Sequence, residues 1–143
     1  MIELKEDAID SAVVAAAVRS EEFGGVVVFE GVVRSIGERG QTVRELQYEA
    51  YAQLAIDEME RIADEARARW GPCAIAMQHR IGTVKAGEPS VAIAVACAHR
   101  SDAFEACAYA IEQLKRRTPI WKQERYADGS ARWLDGIASG ASF

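Results

Sequence analysis

The chain has 143 residues, half of them hydrophobic, which predicts one folded domain over 1–143 with a core of its own and excludes intrinsic disorder. Its 17 Lys and Arg face 22 Asp and Glu, a formal charge of −5. That balance excludes general nucleic-acid binding through phosphate contacts, so any anion site must be local.

The chain opens MIELKEDAID, acidic and without the basic-then-apolar layout of a signal peptide. Residues 7–19, rich in Ala and Val, predict a short helix ending before the turn at Phe23, Gly24 and Gly25. Residues 26–33 are nearly all apolar and predict a strand covered on both faces, with Arg34 at its mouth. Two glycines and alternating charges make 35–41 a mobile loop. Residues 42–51 then alternate, with Leu46 and Tyr48 on one face and Glu45, Gln47 and Glu49 on the other, as a half-buried strand does.

Ala55, Met59, Ile62, Ala63, Ala66 and Trp70 recur at helical spacing, with acids early and Arg67 and Arg69 late. Gly71 and Pro72 end that helix. Two strands follow, one carrying Cys73, Ile75, Met77, His79 and Ile81 in phase, the other Val91, Ile93, Val95, Cys97 and His99. Lys85, Ala86, Gly87 and Glu88 predict the hairpin turn between them. Alanines fill the other face of the second strand, where a helix can approach closely.

A third helix follows His99. Ser101 or Asp102 is its expected cap, Asp102 and Glu105 have capping-box spacing, and Phe104, Cys107, Ala108, Ile111 and Leu114 form the expected buried stripe. Pro119 stops it. Residues 121–126 and 131–134 flank Asp128 and Gly129, a turn signal for a terminal hairpin. The order of elements predicts an α+β domain with a mainly antiparallel sheet and flanking helices.

Chemistry concentrates between His99 and Lys122. His99 and Arg100 precede a helix N-terminus, a combination suited to phosphate; equally, they read as a core histidine and a surface arginine. Lys115 sits at the edge of the apolar stripe, where desolvation and the neighbouring cations Lys122, Arg116 and Arg117 lower a lysine pKa toward values useful in proton transfer or nucleophilic attack. The bland alternatives are a cation at a helix C-terminus for Lys115 and a solvated strand lysine for Lys122. Cys73, Cys97 and Cys107 are widely spaced, with no CxxC pair for zinc or dithiol chemistry, and read as reduced, buried thiols of a cytoplasmic protein. Cys97 with His99 makes a poor nucleophile pair, because nothing nearby orients it. His79, with Arg80 before Ile81 and Gly82, reads as structural, with a substrate or interface role as the alternative. No metal site and no cofactor is called for.

Six segments carry a family resemblance: FEGVVR at 29–34, LQYEAY at 46–51, HRIG at 79–82, GE at 87–88, AHRSDAFEA at 98–106 and LKRRTPIWKQE at 114–124. In this order and spacing the chain resembles the large, catalytic subunit of molybdopterin synthase. That resemblance implies a compact fold described as an α/β hammerhead. It implies sulfur transfer from the C-terminal Gly-Gly thiocarboxylate of a ubiquitin-like small subunit to cyclic pyranopterin monophosphate, forming the molybdopterin dithiolene. It further implies a homodimer within a heterotetramer; independently of it, the charge balance argues against a nucleic-acid partner, and apolar stretches far short of the ~20 residues that span a bilayer argue against a membrane one. By the same resemblance Lys115 and Lys122 carry the chemistry, Arg34, His99 and Arg100 hold the pterin or its phosphate, and Val33, Gln123 and Glu124 line the site. Val32 stands where some relatives have a basic residue. The competing reading is a dimeric scaffold that docks a ubiquitin-like protein or a phosphorylated metabolite without catalysis; the lysine pair argues for the enzyme, since docking needs charge but not these two amines.

Overall fold

A computed structural model describes residues 1–134; residues 135–143, included in the single-domain expectation, lie outside the described residues. The elements are β1 (Ile2–Lys5), α1 (Ser11–Ala16), β2 (Gly25–Val32), β3 (Val43–Ala50), α2 (Ala52–Trp70), β4 (Cys73–Arg80), β5 (Gly82–Lys85), β6 (Pro89–Cys97), α3 (Arg100–Arg117), β7 (Ile120–Tyr126) and β8 (Ala131–Trp133). They form two four-stranded sheets, ordered β1-β4-β6-β2 and β5-β3-β7-β8. All pairings are antiparallel except β1 with β4. The α+β, mainly antiparallel expectation holds.

The central strands β4 and β6 are covered on both faces, so residues 73–77 of β4 and 91–97 of β6 are continuous apolar runs. On one face Ile75, Met77, Val91, Ile93 and Val95 meet Met59, Ile62 and Ala66 of α2 and Ala103, Cys107 and Leu114 of α3. On the other, the small Ala76, Ala92, Ala94 and Ala96 admit Val14 and Val18 from α1 and its end, the close helix approach that the alanine face predicts. The second sheet packs Val43, Leu46, Tyr48, Val84 and Tyr126 into a separate cluster with Val33.

Several boundaries differ from expectation. The first helix is only Ser11–Ala16, because Asp10 caps it, its carboxylate accepting the Ala12 N–H at 2.9 Å. β1 was not anticipated; four residues hold too little periodicity to signal a strand. β2 is not covered on both faces: it is the edge of its sheet, with Val28 40% and Val32 38% exposed. β4 and β6 do pair, but they are not a simple hairpin. At Gly82, whose φ of +85° suits glycine, the chain leaves the first sheet and runs as β5 along β3 before returning.

α3 begins at Arg100 with His99 as its N-cap, and neither Ser101 nor Asp102 caps it; Glu105 instead accepts the Trp70 indole N–H at 2.8 Å. Its buried stripe is Ala103, Ala106, Cys107, Ala110 and Leu114, while Phe104 is 62% exposed and Ala108 also faces out. The true stripe favours alanines because β6 and α2 press close against it, a packing demand invisible to a scale that weights large side chains. No helix among the described residues is long and apolar enough to cross a membrane.

Candidate active site

Thr118 and Pro119 separate α3 from β7, so Lys115 in the last helical turn and Lys122 on the strand face a common region. Alternation along β7 turns Lys122, Glu124 and Tyr126 inward and leaves Trp121, Gln123 and Arg125 half-buried on the other face. Lys122 is directly opposite Tyr48 of β3. Val33, Arg34, Glu38, Tyr48, Lys122 and Glu124 line one pocket. Glu124 is buried and accepts the Tyr126 hydroxyl at 3.1 Å. Val33 is locked by two backbone bonds, donating to Glu88 at 3.0 Å and accepting from Gly87 at 2.8 Å, which holds Arg34 at the pocket rim.

Lys122 is 9% exposed. Burial pulls its pKa down to about 8, and the nearby Lys115 ammonium adds to this; Glu38 and Glu124 oppose the shift, and Arg34 reinforces it. Lys115 is half-buried, and desolvation lowers its pKa too, with Glu112 opposing. The like-charge effect expected at Lys115 is instead felt at Lys122. Arg117 turns away to pair with Glu58 and Glu65, and Arg116 pairs with Glu112.

The remaining predicted site residues are elsewhere. Gln123 is on the outward face of β7, where its side-chain oxygen accepts from Arg125 at 3.2 Å. His99 and Arg100 are exposed rather than inward, at the junction of β6 and α3. Gly25 allows that junction, since a Cβ there would be 2.8 Å from the Arg100 Cα. The β2–β6 ladder runs from Gly25 opposite Cys97 to Val32 opposite Pro89, so Arg100 and Arg34 are at opposite ends of it, roughly 25 Å apart at strand rise. One chain therefore does not bring His99 and Arg100 to the lysines.

Burial also settles the cysteines. Cys97 is fully buried, and desolvation pushes its thiol up to about 12, the opposite of what a nucleophile needs. Two pocket-side residues went unassigned in the sequence, Tyr48 and Glu38; His79, read there as structural, packs on Tyr48. For Tyr48 the signal was present in its inward phase with Leu46; for Glu38, in a loop, there was none.

A buried amine with a loosened proton, flanked by a second lysine, an arginine and a buried carboxylate on an α+β scaffold, defines a protein built to handle an anionic reactant. The family profile described as MoaE protein matches residues 4–117. The chain is 42% identical over 121 residues to the molybdopterin synthase catalytic subunit of Pyrococcus abyssi, covering 85% of this chain and 80% of that one. It is 40% identical over 132 residues to the Thermoplasma volcanium protein of the same name, covering 92% and 96%. The crystal structure of molybdopterin synthase from Staphylococcus aureus superposes with a TM-score of 0.88 at 35% identity, covering 93% of this chain and 96% of that one. The chain belongs to the MoaE protein family.

Proposed function

We propose that this chain is the catalytic subunit of a molybdopterin synthase, transferring sulfur from the thiocarboxylate of a ubiquitin-like small subunit to cyclic pyranopterin monophosphate and so building the dithiolene. The observation that carries this is the buried Lys122 amine, with a pKa of about 8, in a pocket with Arg34 and Glu124 and beside Lys115. The relatives are named catalytic subunits, which implies a second, non-identical chain.

Both reactants are anions, and their approach costs Coulomb repulsion that fixed cations offset. Lys115, near enough for its charge to act on Lys122, meets the incoming thiocarboxylate. Lys122 exchanges the proton: as the thiocarboxylate sulfur bonds to substrate carbon, the displaced electron pair collects on substrate oxygen, and an ammonium with a pKa near the working pH delivers its proton there. Water then cleaves the acyl–sulfur bond, leaving sulfur on the substrate and releasing the small subunit as its carboxylate. Arg34, held at the pocket rim beside Val33, takes the pterin end or its phosphate.

His99 and Arg100 join the site from a second copy. The outer edge of β2 pairs with no strand among the described residues, and antiparallel apposition of two such edges brings the start of one β2 to the end of the other. The assembly is then a homodimer with a small subunit on each protomer. Three buried, free cysteines suit the reducing cytoplasm.

The test is to mix the chain with a thiocarboxylated small subunit and cyclic pyranopterin monophosphate. Dithiolene product is expected; a stable complex of the two proteins that makes none favours the docking scaffold.

A further inference from the structure

His79 is fully enclosed on β4. Its Nδ1 is 2.7 Å from the Arg80 carbonyl oxygen. A carbonyl only accepts, so Nδ1 carries the hydrogen and a neutral ring presents Nε2 as a lone pair. Burial holds the ring neutral, with its pKa lowered to about 4, and the Lys122 charge contributes to that lowering. The ring packs edge-on against Tyr48, centroids 5.1 Å apart at 77°, and Tyr48 is the cross-strand partner of Lys122. His79, Tyr48 and Lys122 therefore form one buried cluster, reaching from β4 in the first sheet to β3 and β7 in the second.

The groups acting on Lys122 come from every side: Lys115 from α3, Arg34 after β2, Glu38 from the following loop and Glu124 from its own strand, with Tyr48 from β3 and His79 from β4. Of the two neutral ones, the Tyr48 hydroxyl is turned toward the Ser90 side chain and meets no partner in full hydrogen-bond geometry among the described residues. The imidazole is the neutral acceptor that remains. A flexible lysine stem has many rotamers, and a fixed acceptor behind it selects one.

We infer that His79 is a positioning residue for Lys122: its Nε2 accepts from the ammonium and aims it into the pocket, while the Arg80 carbonyl locks the ring in the tautomer that makes this possible. This rests on the catalytic role proposed for Lys122.

The test compares His79→Asn with His79→Gln. The Asn amide keeps a donor for the Arg80 carbonyl but has nothing at the Nε2 position, whereas Gln places an acceptor oxygen there. Lys122 is followed by NMR in lysine-labelled protein, its signal assigned by loss in Lys122→Met, alongside the pH–rate profile of single-turnover sulfur transfer. The wild-type midpoint is expected near pH 8. In His79→Asn it should fall by about one pH unit, since an acceptor that favours the charged form is gone, and in His79→Gln it should return toward wild type.

A folded Asn variant with an unmoved Lys122 midpoint overturns the inference, as does a Gln variant shifted as far as Asn. Should neither variant fold, the His79 ring ¹⁵N spectrum decides: Lys122→Met should move the Nε2 resonance downfield, toward a lone pair that accepts nothing, and an unmoved resonance overturns the contact. If Lys122→Met transfers sulfur at the wild-type rate, the catalytic assignment fails instead, and the NMR titrations still judge the contact by itself.

Discussion

Replacing Lys122 by Met should make the protein more stable while ending its activity. The Met side chain keeps most of the lysine stem and removes the ammonium. Burial lowers the Lys122 pKa from 10.5 to about 8, and that depression corresponds to about 3 kcal/mol by which the folded state disfavours the charged amine. Below pH 8 the amine is charged in both folded and unfolded chains, and the folded state carries the full penalty. Between pH 8 and 10.5 the unfolded chain still binds the proton that the folded chain has released, so wild-type stability rises with pH across this window. Above it both states are neutral and the penalty is gone. The Met variant should therefore exceed wild type by about 3 kcal/mol at pH 7, with the gap closing as pH rises through 10.5. Urea unfolding followed by tryptophan fluorescence at pH 7 and pH 10, on both proteins, measures this; other titrating groups cancel in the difference. A Met variant no more stable than wild type at pH 7, or a gap that does not narrow by pH 10, refutes the claim that Lys122 is held as a strained, desolvated cation.

Lys115→Arg should bind the small subunit yet lose sulfur transfer in single-turnover assays, because a guanidinium neither loses its charge nor fits a lysine's place at the pocket. Mixing inactive Arg34→Ala with inactive Arg100→Ala should restore about one quarter of wild-type activity if each site draws on two copies, since half the dimers are mixed and one site in each is intact; no recovery on mixing places both arginines in one protomer's site. Gly25→Ala should lower thermal stability, by about 1–3 kcal/mol for a Cβ forced against backbone, and weaken pterin affinity measured by calorimetry, whereas Arg100→Ala should weaken affinity alone. Arg117 donates to both Glu65 oxygens at 2.6 and 2.9 Å and holds that carboxyl down to about 2. The resulting stabilisation is complete above pH 4.5 and is lost as pH falls toward 2, so Arg117→Met should unfold at higher pH than wild type in an acid titration followed by circular dichroism.

Local periodicity in the sequence was enough to identify α2, the alternating β3 and an alanine face that a helix covers, and the turn residues Asp128 and Gly129 marked the strands either side of them. The inward phase of Leu46 and Tyr48, and the two lysines either side of Pro119, were visible for the same reason: side-chain direction along a helix or strand depends on near neighbours in the chain. Tertiary structure decided which sheet each strand joins. Nothing near Gly82 says that β5 leaves β4 for β3, and nothing in Ile2–Lys5 says that β1 will pair in parallel with a strand some seventy residues on, because such pairings are chosen by long-range burial set against loop-closure entropy. The site shows the same division. Residue type and spacing singled out Lys115 and Lys122, but the stronger pKa depression falls on Lys122, His99 and Arg100 are at the far end of the β2–β6 ladder, and a histidine that reads as structural packs on Tyr48, the cross-strand partner of Lys122. Desolvation and charge proximity are sums over groups from β2, β3, β4, α3 and the loop at Glu38, and only the folded chain brings those groups within range of one another.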